Sequence, residues 1–277
     1  MDLDLRKLRY FVAVAEHRHF GRAAEALFVA QPVLSRQVRA FERELGCALF
    51  ERTTRSVRLT PAGEQLLAES RGVLGTVDSA VRRVLEADRG VERLVVAFIP
   101  GLLVSEAVRA FAAVHPSVEI DVLRLPWWEP DTALRDGRAD VAHLRRPFDD
   151  TGLRVVPIGR ETKVACVPAG HRLADRRAIV TADLQGESLM NAQPRRTSSL
   201  EEKFELIAAG EGIALVPRSV ADSYSRPDLV YLPVTDVAPV ETCLAALADR
   251  REPRISDFLE IAATVLREAP ARTALAG

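Results

Sequence analysis

Four residues in the first forty carry the chemistry that stands out in this chain: Gln31, Ser35, Arg36 and Arg39. A glutamine amide pairs with adenine through two parallel bonds. An arginine fork does the same with guanine or grips a phosphate, and a serine hydroxyl serves either. These types are useful only if one surface presents them together. The intervening residues supply it, because Leu34, Val38, Phe41 and Leu45 recur at helical spacing and a helix must bury them. That stripe leaves the four polar residues outside, all in the N-terminal half. Gln31-Pro32 opens the helix, since proline suits the first turn, and Gly46 ends it. Recognition helices present their N-terminal residues to the major groove in this way.

Two further helices must hold that one in place. Leu8, Phe11, Val12 and Ala15 lie on one face of a helix over about Leu5–Glu16. A second, short helix follows Phe20-Gly21 with Ala23, Ala24 and Leu27 inward. With the turn from Phe28 to Gln31, this predicts a helix-turn-helix. Past Gly46, Leu49-Phe50 and Val57-Arg58-Leu59 alternate like two short strands around Arg52-Thr53-Thr54-Arg55. This basic tip has two readings: a wing whose Arg52, Thr53 and Arg55 reach the minor groove or backbone, or an ordinary surface turn. The neighbouring recognition helix favours the wing.

The run FVAVAEHRHFGRAAEALFVAQPVLSRQVRAFERELGCALFERTTRSVRLTPAGE, residues 11–64, resembles the N-terminal signature of the LysR-type transcriptional regulators. The resemblance implies that Gln31, Pro32, Ser35 and Arg36 contact bases and phosphates, and that Arg52 and Arg55 belong to a wing. It implies double-stranded promoter DNA as a partner. The chain departs from the family at Gly21, where a hydroxyl residue is common, and at Ala30, where serine is. Both are read as helix starts, where alanine costs about 1 kcal/mol against a serine cap.

Composition alone misleads here. Thirty-eight Lys+Arg against 39 Asp+Glu give a net charge of −1, which argues against a general basic field. By segment, residues 1–60 hold 11 basic against 7 acidic side chains, and residues 61–277 hold 27 against 32. The +4 therefore sits on the helix-turn-helix and the −5 on everything else.

Thr60-Pro61 starts a long helix. Along it Leu67, Ser70, Leu74, Val77, Val81, Val84 and Asp88 fall at alternating spacings of three and four, a heptad seam. Such a seam packs either on the chain's own second domain or on a second copy. The resemblance implies a linker helix that pairs subunits, with Leu67, Leu74, Val77, Val81 and Val84 at the interface of a homodimer or homotetramer. Two recognition helices would then meet half-sites about one DNA turn apart, an imperfect palindrome.

Beyond residue 91, strand-like runs (Leu94–Ile99, Val118–Leu123, Asp140–Leu144, Lys163–Val167, Ile213–Val216, Leu229–Leu232, Val240–Leu247) alternate with helical ones. The helical runs are Leu103–Val114, Pro130–Asp136, Ser199–Ala209, Arg218–Tyr224 and Ile255–Arg267. This predicts an α/β domain with mostly parallel sheets. LRDGRADVAHLRRP and SSLEEKFELIAAGEGIALVP also resemble family landmarks. They imply two subdomains of the periplasmic-binding-protein type with a small-molecule effector between them. The expected organisation is a winged helix-turn-helix over 1–60, a linker helix over 61–90 and an effector domain over 91–277. Subdomain I would hold about 92–160 plus 241–270, and subdomain II about 161–240.

In open α/β sheets ligands bind beyond strand C-termini. Candidate effector contacts are therefore Ile99, Pro100 and Gly101, the pair Arg145-Arg146, and Thr197, Ser198 and Ser199 at a helix start. Hydroxyls and an arginine pair suit a small carboxylate. The plainer readings are a helix cap and a solvated turn. Many family members carry Ser or Thr where this chain has Ile99-Pro100. The stretch Met190–Arg195 looks shorter than usual. Trp127-Trp128 is read as cleft lining or as core.

No nucleotide-binding, metallopeptidase or nucleophile-elbow motif is found, and none of the five histidines sits at metal-ligand spacing, so neither enzyme, cofactor nor metal is expected. Cys47, Cys166 and Cys243 are read as buried small residues in a reducing compartment, or as a redox sensor. The N-terminus lacks a signal-peptide core, and no run reaches the roughly 20 apolar residues of a membrane span, so a cytoplasmic location is expected. A metabolite-binding module whose N-terminus serves only assembly is the competing function.

Overall fold

The computed structural model describes residues 3–52, 57–128, 130–190 and 199–273. The chain forms two compact units, Met1–Leu85 with Arg135–Arg138, and Glu86–Leu134 with Ala139–Gly277.

In the first unit, α1 (Leu5–His17), α2 (Phe20–Ala26) and α3 (Gln31–Leu45) enclose one core. Leu8, Phe11, Ala23, Leu34 and Val38 are wholly buried, each large one contributing about 1.5–3 kcal/mol. On α1 the fully buried valine is Val14; Val12 is only half-buried. Asp4 caps α1 by accepting from the Arg6 and Lys7 amides. The α2–α3 turn passes through Phe28 at φ 53°, and its ring is 97% exposed. β1 (Phe50–Arg52) and β2 (Val57–Leu59) form an antiparallel hairpin with Phe50 opposite Leu59. Its tip, Thr53, Thr54, Arg55 and Ser56, lies outside the described residues. α4 (Pro61–Arg89) is 29 residues long, about 44 Å at 1.5 Å per residue. Thr60 starts it, its Oγ1 accepting from the Gly63 amide and donating to the Ala48 carbonyl. Gly63 is required there, because a Cβ would stand 2.2 Å from the Leu49 carbonyl oxygen.

The second unit carries two sheets. Its elements are β3 (Glu92–Phe98), α5 (Ser105–Val114), β4 (Val118–Arg124), α6 (Thr132–Arg135), β5 (Val141–Arg145), β6 (Leu153–Glu161) and β7 (Lys163–Pro168). They continue with α7 (Leu200–Ala208), β8 (Ala214–Pro217), α8 (Arg218–Ser223), β9 (Leu229–Pro233), β10 (Val240–Leu247) and α9 (Pro253–Thr273). The five-stranded sheet runs β4-β3-β5-β10-β6 and the three-stranded sheet β8-β7-β9. α5 and α9 cover one face of the larger sheet, with Phe111 edge-on to Phe258 at 5.3 Å.

The expectation of mostly parallel sheets is corrected. Only β3 with β4 and β3 with β5 run parallel; β10 is antiparallel to β5 and β6, and β7 to β8 and β9. The chain leaves the larger sheet on β6 and returns on β10, and the return strand slots between β5 and β6. β6 itself is absent from the strands read in the sequence because Pro157 and Gly159 interrupt its pattern. Both are tolerated on an edge strand, and the ladder with β10 shifts register there, between Thr242 and Cys243.

Candidate nucleic-acid interface and effector cleft

On α3, Gln31, Pro32, Arg36 and Arg39 are exposed and Ser35 is half-buried. Neither the Arg36 nor the Arg39 guanidinium bonds any group among the described residues. Arg43, missed in the sequence reading, extends their line at i+4 from Arg39. The three arginines line a shallow depression of about 710 Å³ with Glu42 and Cys47. Glu42 anchors the first strand of the hairpin: its Oε1 accepts from the Leu49 and Phe50 amides at 3.0 and 3.2 Å, fixing β1 to the recognition helix. Arg52 ends β1, while Thr53 and Arg55 lie outside the described residues.

The two departures at helix starts resolve differently. Ala30 is the N-cap of α3 and supplies no side-chain bond. Gly21 is not the cap of α2. That residue is His19, whose Nδ1 accepts from the Gly21 and Arg22 amides at 3.1 and 3.3 Å. A Cβ on Gly21 would stand 3.0 Å from the His19 ring, so the glycine makes room for the imidazole.

The heptad seam on α4 divides. Leu74 is buried in the core of its own helix-turn-helix, and Leu67 packs half-buried beside it. Leu74 is corrected: an apolar period records only that a face is covered, and here the chain covers it itself. Val77 is half-buried, while Val81 and Val84 are exposed, joined by Val73. The unpartnered stripe is Val73-Val77-Val81-Val84.

At the strand ends of the second unit, Ile99 is buried and Pro100 with it. Gly101, at φ +85°, comes so close to α8 that a Cβ would stand 2.7 Å from the Val220 amide nitrogen. Arg145 donates to Glu161 through Nε, to the Pro100 carbonyl at 2.7 Å and to Ser219 Oγ at 2.5 Å. Glu161 also accepts from the Ser219 amide and hydroxyl. Arg146 points elsewhere, to Asp150 at 2.8 Å, with Glu241 at 3.9 Å. Adjacent strand residues face opposite ways, so the expected arginine pair does not converge, and carboxylates of the chain itself already hold both. Ser199 caps α7, accepting from the Glu202 amide at 3.1 Å. Thr197, Ser198 and the stretch Met190–Arg195 beyond its first residue lie outside the described residues. Trp127 packs on the core of the smaller sheet, and Lys203, buried on α7, lies over its ring.

His143, on β5 next to the Arg145 site, is buried. Its Nδ1 donates to the Leu103 carbonyl and burial holds the imidazole's pKa down to about 4. Burial also pushes the Cys166 thiol up to about 12 and Cys243 up to about 11, far from the thiolate a sensor needs. Cys47, by contrast, is exposed and not the buried residue expected. Among the described residues no group of three metal-ligating side chains forms, and no helix is long and apolar enough to cross a membrane.

A helix-turn-helix that presents arginines outward, followed by a two-sheet α/β unit, is the architecture of a ligand-responsive DNA-binding regulator. The chain belongs to the LysR family: residues 5–64 match "Bacterial regulatory helix-turn-helix protein, lysR family" and residues 86–267 match "LysR substrate binding domain". It is 37% identical over 248 residues to the uncharacterized HTH-type transcriptional regulator YnfL of Escherichia coli (strain K12), covering 79% of this chain and 84% of that protein. It is 28% identical to the HTH-type transcriptional regulator BenM of Acinetobacter baylyi (strain ATCC 33305 / BD413 / ADP1), covering 90% and 91%. Full-length BenM superposes with a TM-score of 0.51 at 27% identity, over 95% of this chain and 96% of that one. CbnR, a LysR family transcriptional regulator, shares the fold at a TM-score of 0.61 and 24% identity, over 94% and 98%. The protein is thus a DNA-binding transcriptional regulator with an effector-binding domain.

Proposed function

We propose that α3 reads an imperfect palindrome in promoter DNA with Gln31, Ser35, Arg36 and Arg39, while Arg43 and the Arg52–Arg55 wing hold phosphate. The observation that carries this is that Arg36 and Arg39 face solvent on α3 with no side-chain partner among the described residues. Two copies pair through Val73, Val77, Val81 and Val84. The second unit binds a small carboxylate between its two sheets and catalyses nothing, and the protein works in the cytoplasm where its DNA is. Crystalline full-length CbnR has been solved in complex with its target DNA, a precedent for the same mode here (TM-score 0.52, 25% identity).

The test is retention of DNA from the region upstream of the protein's own gene. Affinity is expected to fall steeply with salt, with a sequence preference that Arg36→Ala removes and no change in fold. An assembly-only N-terminus predicts no salt slope and no preference.

A further inference from the structure

We propose that the turn Arg135–Arg138 is a coupling joint: it grips the linker helix α4 beside the helix-turn-helix core, and DNA bound there stabilises the second unit through it. The turn lies within the stretch matched to the LysR substrate binding domain, yet it packs as part of the first unit. The residues on either side of it, Leu134 and Ala139, belong to the second. The inference rests on DNA binding by the helix-turn-helix and on no particular effector.

The grip is read from glycines. α4 carries Gly63, Gly72 and Gly75, although glycine is a poor helix former. At Gly72 a Cβ would meet nothing within 4 Å. At Gly75 it would stand 2.5 Å from Asp136 Cβ and closer still to the Asp136 carbonyl oxygen, so the turn seats on bare helix backbone. Gly137 answers from the other side. It holds a left-handed conformation at φ +74°, and a Cβ there would stand 2.7 Å from Ser79 Cβ. Arg82 Nη2 donates to the Gly137 carbonyl at 3.1 Å, and Arg83 Nη1 donates to Ser79 Oγ at 2.8 Å. Ser79 and Asp136 are both buried. The turn also fixes its own shape, since the Asp136 carboxylate accepts from the Arg138 amide at 3.1 Å and from its Nε at 2.6 Å.

Both ends of the joint are anchored. The flanking residues Ala133, Leu134 and Ala139 are buried in one core of the second unit, and the Ala139 amide donates to the Ala133 carbonyl. Next in sequence, Asp140 accepts from the Val95 amide of β3 at 2.7 Å and faces Arg250 at 3.0 Å. On α4, Leu74 lies in the helix-turn-helix core and Asp78 pairs with Arg9 of α1. Each is one residue from a point that the turn holds, Gly75 or Ser79. At 3.6 residues per turn these contacts fall on adjoining faces of the helix, and Val73, Val77, Val81 and Val84 fall on a third. Residues 74–79 are therefore shared by the helix-turn-helix core and the turn, and close-packed contacts of this kind transmit strain. A change in the second unit that shifts Leu134 or Ala139 moves the turn, and with it the helix on which α1 rests. Coupling is reciprocal, so DNA acts back on the second unit by the same route.

The experiment uses the full-length protein and a duplex from the region upstream of its own gene. Both tryptophans, Trp127 and Trp128, lie in the second unit, so the urea midpoint of their emission reads that unit. In wild type the duplex is expected to raise this midpoint. It is also expected to slow hydrogen exchange at the Ala139 and Asp140 amides, which bond the Ala133 and Val95 carbonyls. Gly75→Ala is expected to abolish both effects while DNA retention persists, since α3 is untouched. Gly72→Ala, the same change three residues away in open space, is expected to keep both. Arg82→Ala removes a donor to the turn without adding bulk and is expected to weaken both. A turn with a merely structural role gives a different pattern: Gly75→Ala lowers the midpoint with and without duplex, and the difference between them stays. That pattern overturns the proposal, as does an undiminished difference in Arg82→Ala where Gly75→Ala does not fold. An equal loss in Gly72→Ala, or no difference in wild type with the duplex bound, also overturns it and leaves DNA binding standing. Failure of wild type to retain the duplex removes the DNA-binding reading and the joint together.

Discussion

The arginines of the two units are in opposite states. Arg36 and Arg39 stand on α3 in solvent with no side-chain partner among the described residues, whereas Arg145 and Arg146, at the end of β5, are held by Glu161, Asp150 and Glu241. The residue type is the same, so type alone does not say which arginine meets a ligand. What differs is the element beneath. A surface helix buries one stripe, and those polar side chains on its far face that meet no other element, Arg36 and Arg39 among them, are left to an incoming molecule. A strand end inside an α/β unit delivers its side chain into a half-buried junction, where desolvation demands a counter-charge that the fold must supply. The arginines proposed to bind are those left unpaired among the described residues, and the structural ones are those the chain has already answered.

That contrast can be broken in several places. Glu161→Gln leaves the Arg145 guanidinium buried without its counter-charge, and a loss of about 3–5 kcal/mol is expected in urea unfolding of the second unit. DNA retention at a temperature where both units are folded should not change. An unchanged unfolding midpoint would show that Arg145 is as replaceable as a surface arginine.

His143 comes next. Its folded pKa is lowered to about 4 against an ordinary 6.5 because burial disfavours the imidazolium, so only the neutral ring fits the fold. The contribution is fully present above about 6.5 and lost as pH falls towards 4, amounting to about 3 kcal/mol at the acid end. Urea midpoints measured between pH 7.5 and 4 should fall more steeply in wild type than in His143→Gln.

Arg36→Ala should cost about 1–3 kcal/mol per half-site in DNA affinity, tenfold or more in Kd, with Tm unchanged. A large drop in Tm would place Arg36 in the second class after all. The smallest effect belongs to Ala30→Ser, which gives α3 the cap it lacks. Stability of the first unit should rise by about 1 kcal/mol, read as a higher urea midpoint of its helical signal.

The helix-turn-helix was legible because a 3.6-residue period marks both the buried stripe and, by subtraction, the exposed one. Leu34, Val38 and Phe41 sit where the period puts them. The heptad on α4 was only half legible. Leu74 and Val81 obey one spacing, but the first is covered by its own core and the second is bare, and periodicity does not name the covering surface. β6 was hidden by Pro157 and Gly159, which disturb local pattern but are harmless on an edge. The clamp at Arg145 was illegible for another reason: Glu161 and Ser219 lie 16 and 74 residues away, and only the assembled sheets bring them to one place. Lys203 carries no signal in the sequence, and its burial depends on what packs above it.

Pro157 has a consequence beyond strand assignment. A sheet edge is a row of unused donors and acceptors, and a second chain can add to it as an extra strand. On β6, the outer strand, Pro157 has no amide hydrogen to offer, and its carbonyl is taken by Arg267 through Nε and Nη2 at 3.2 and 2.7 Å. One rung of the exposed ladder is thus missing its donor and its acceptor is already filled, so misassembly by strand addition is discouraged where the sheet is barest. Copies of the chain that meet at this edge are thereby steered away from open-ended stacking.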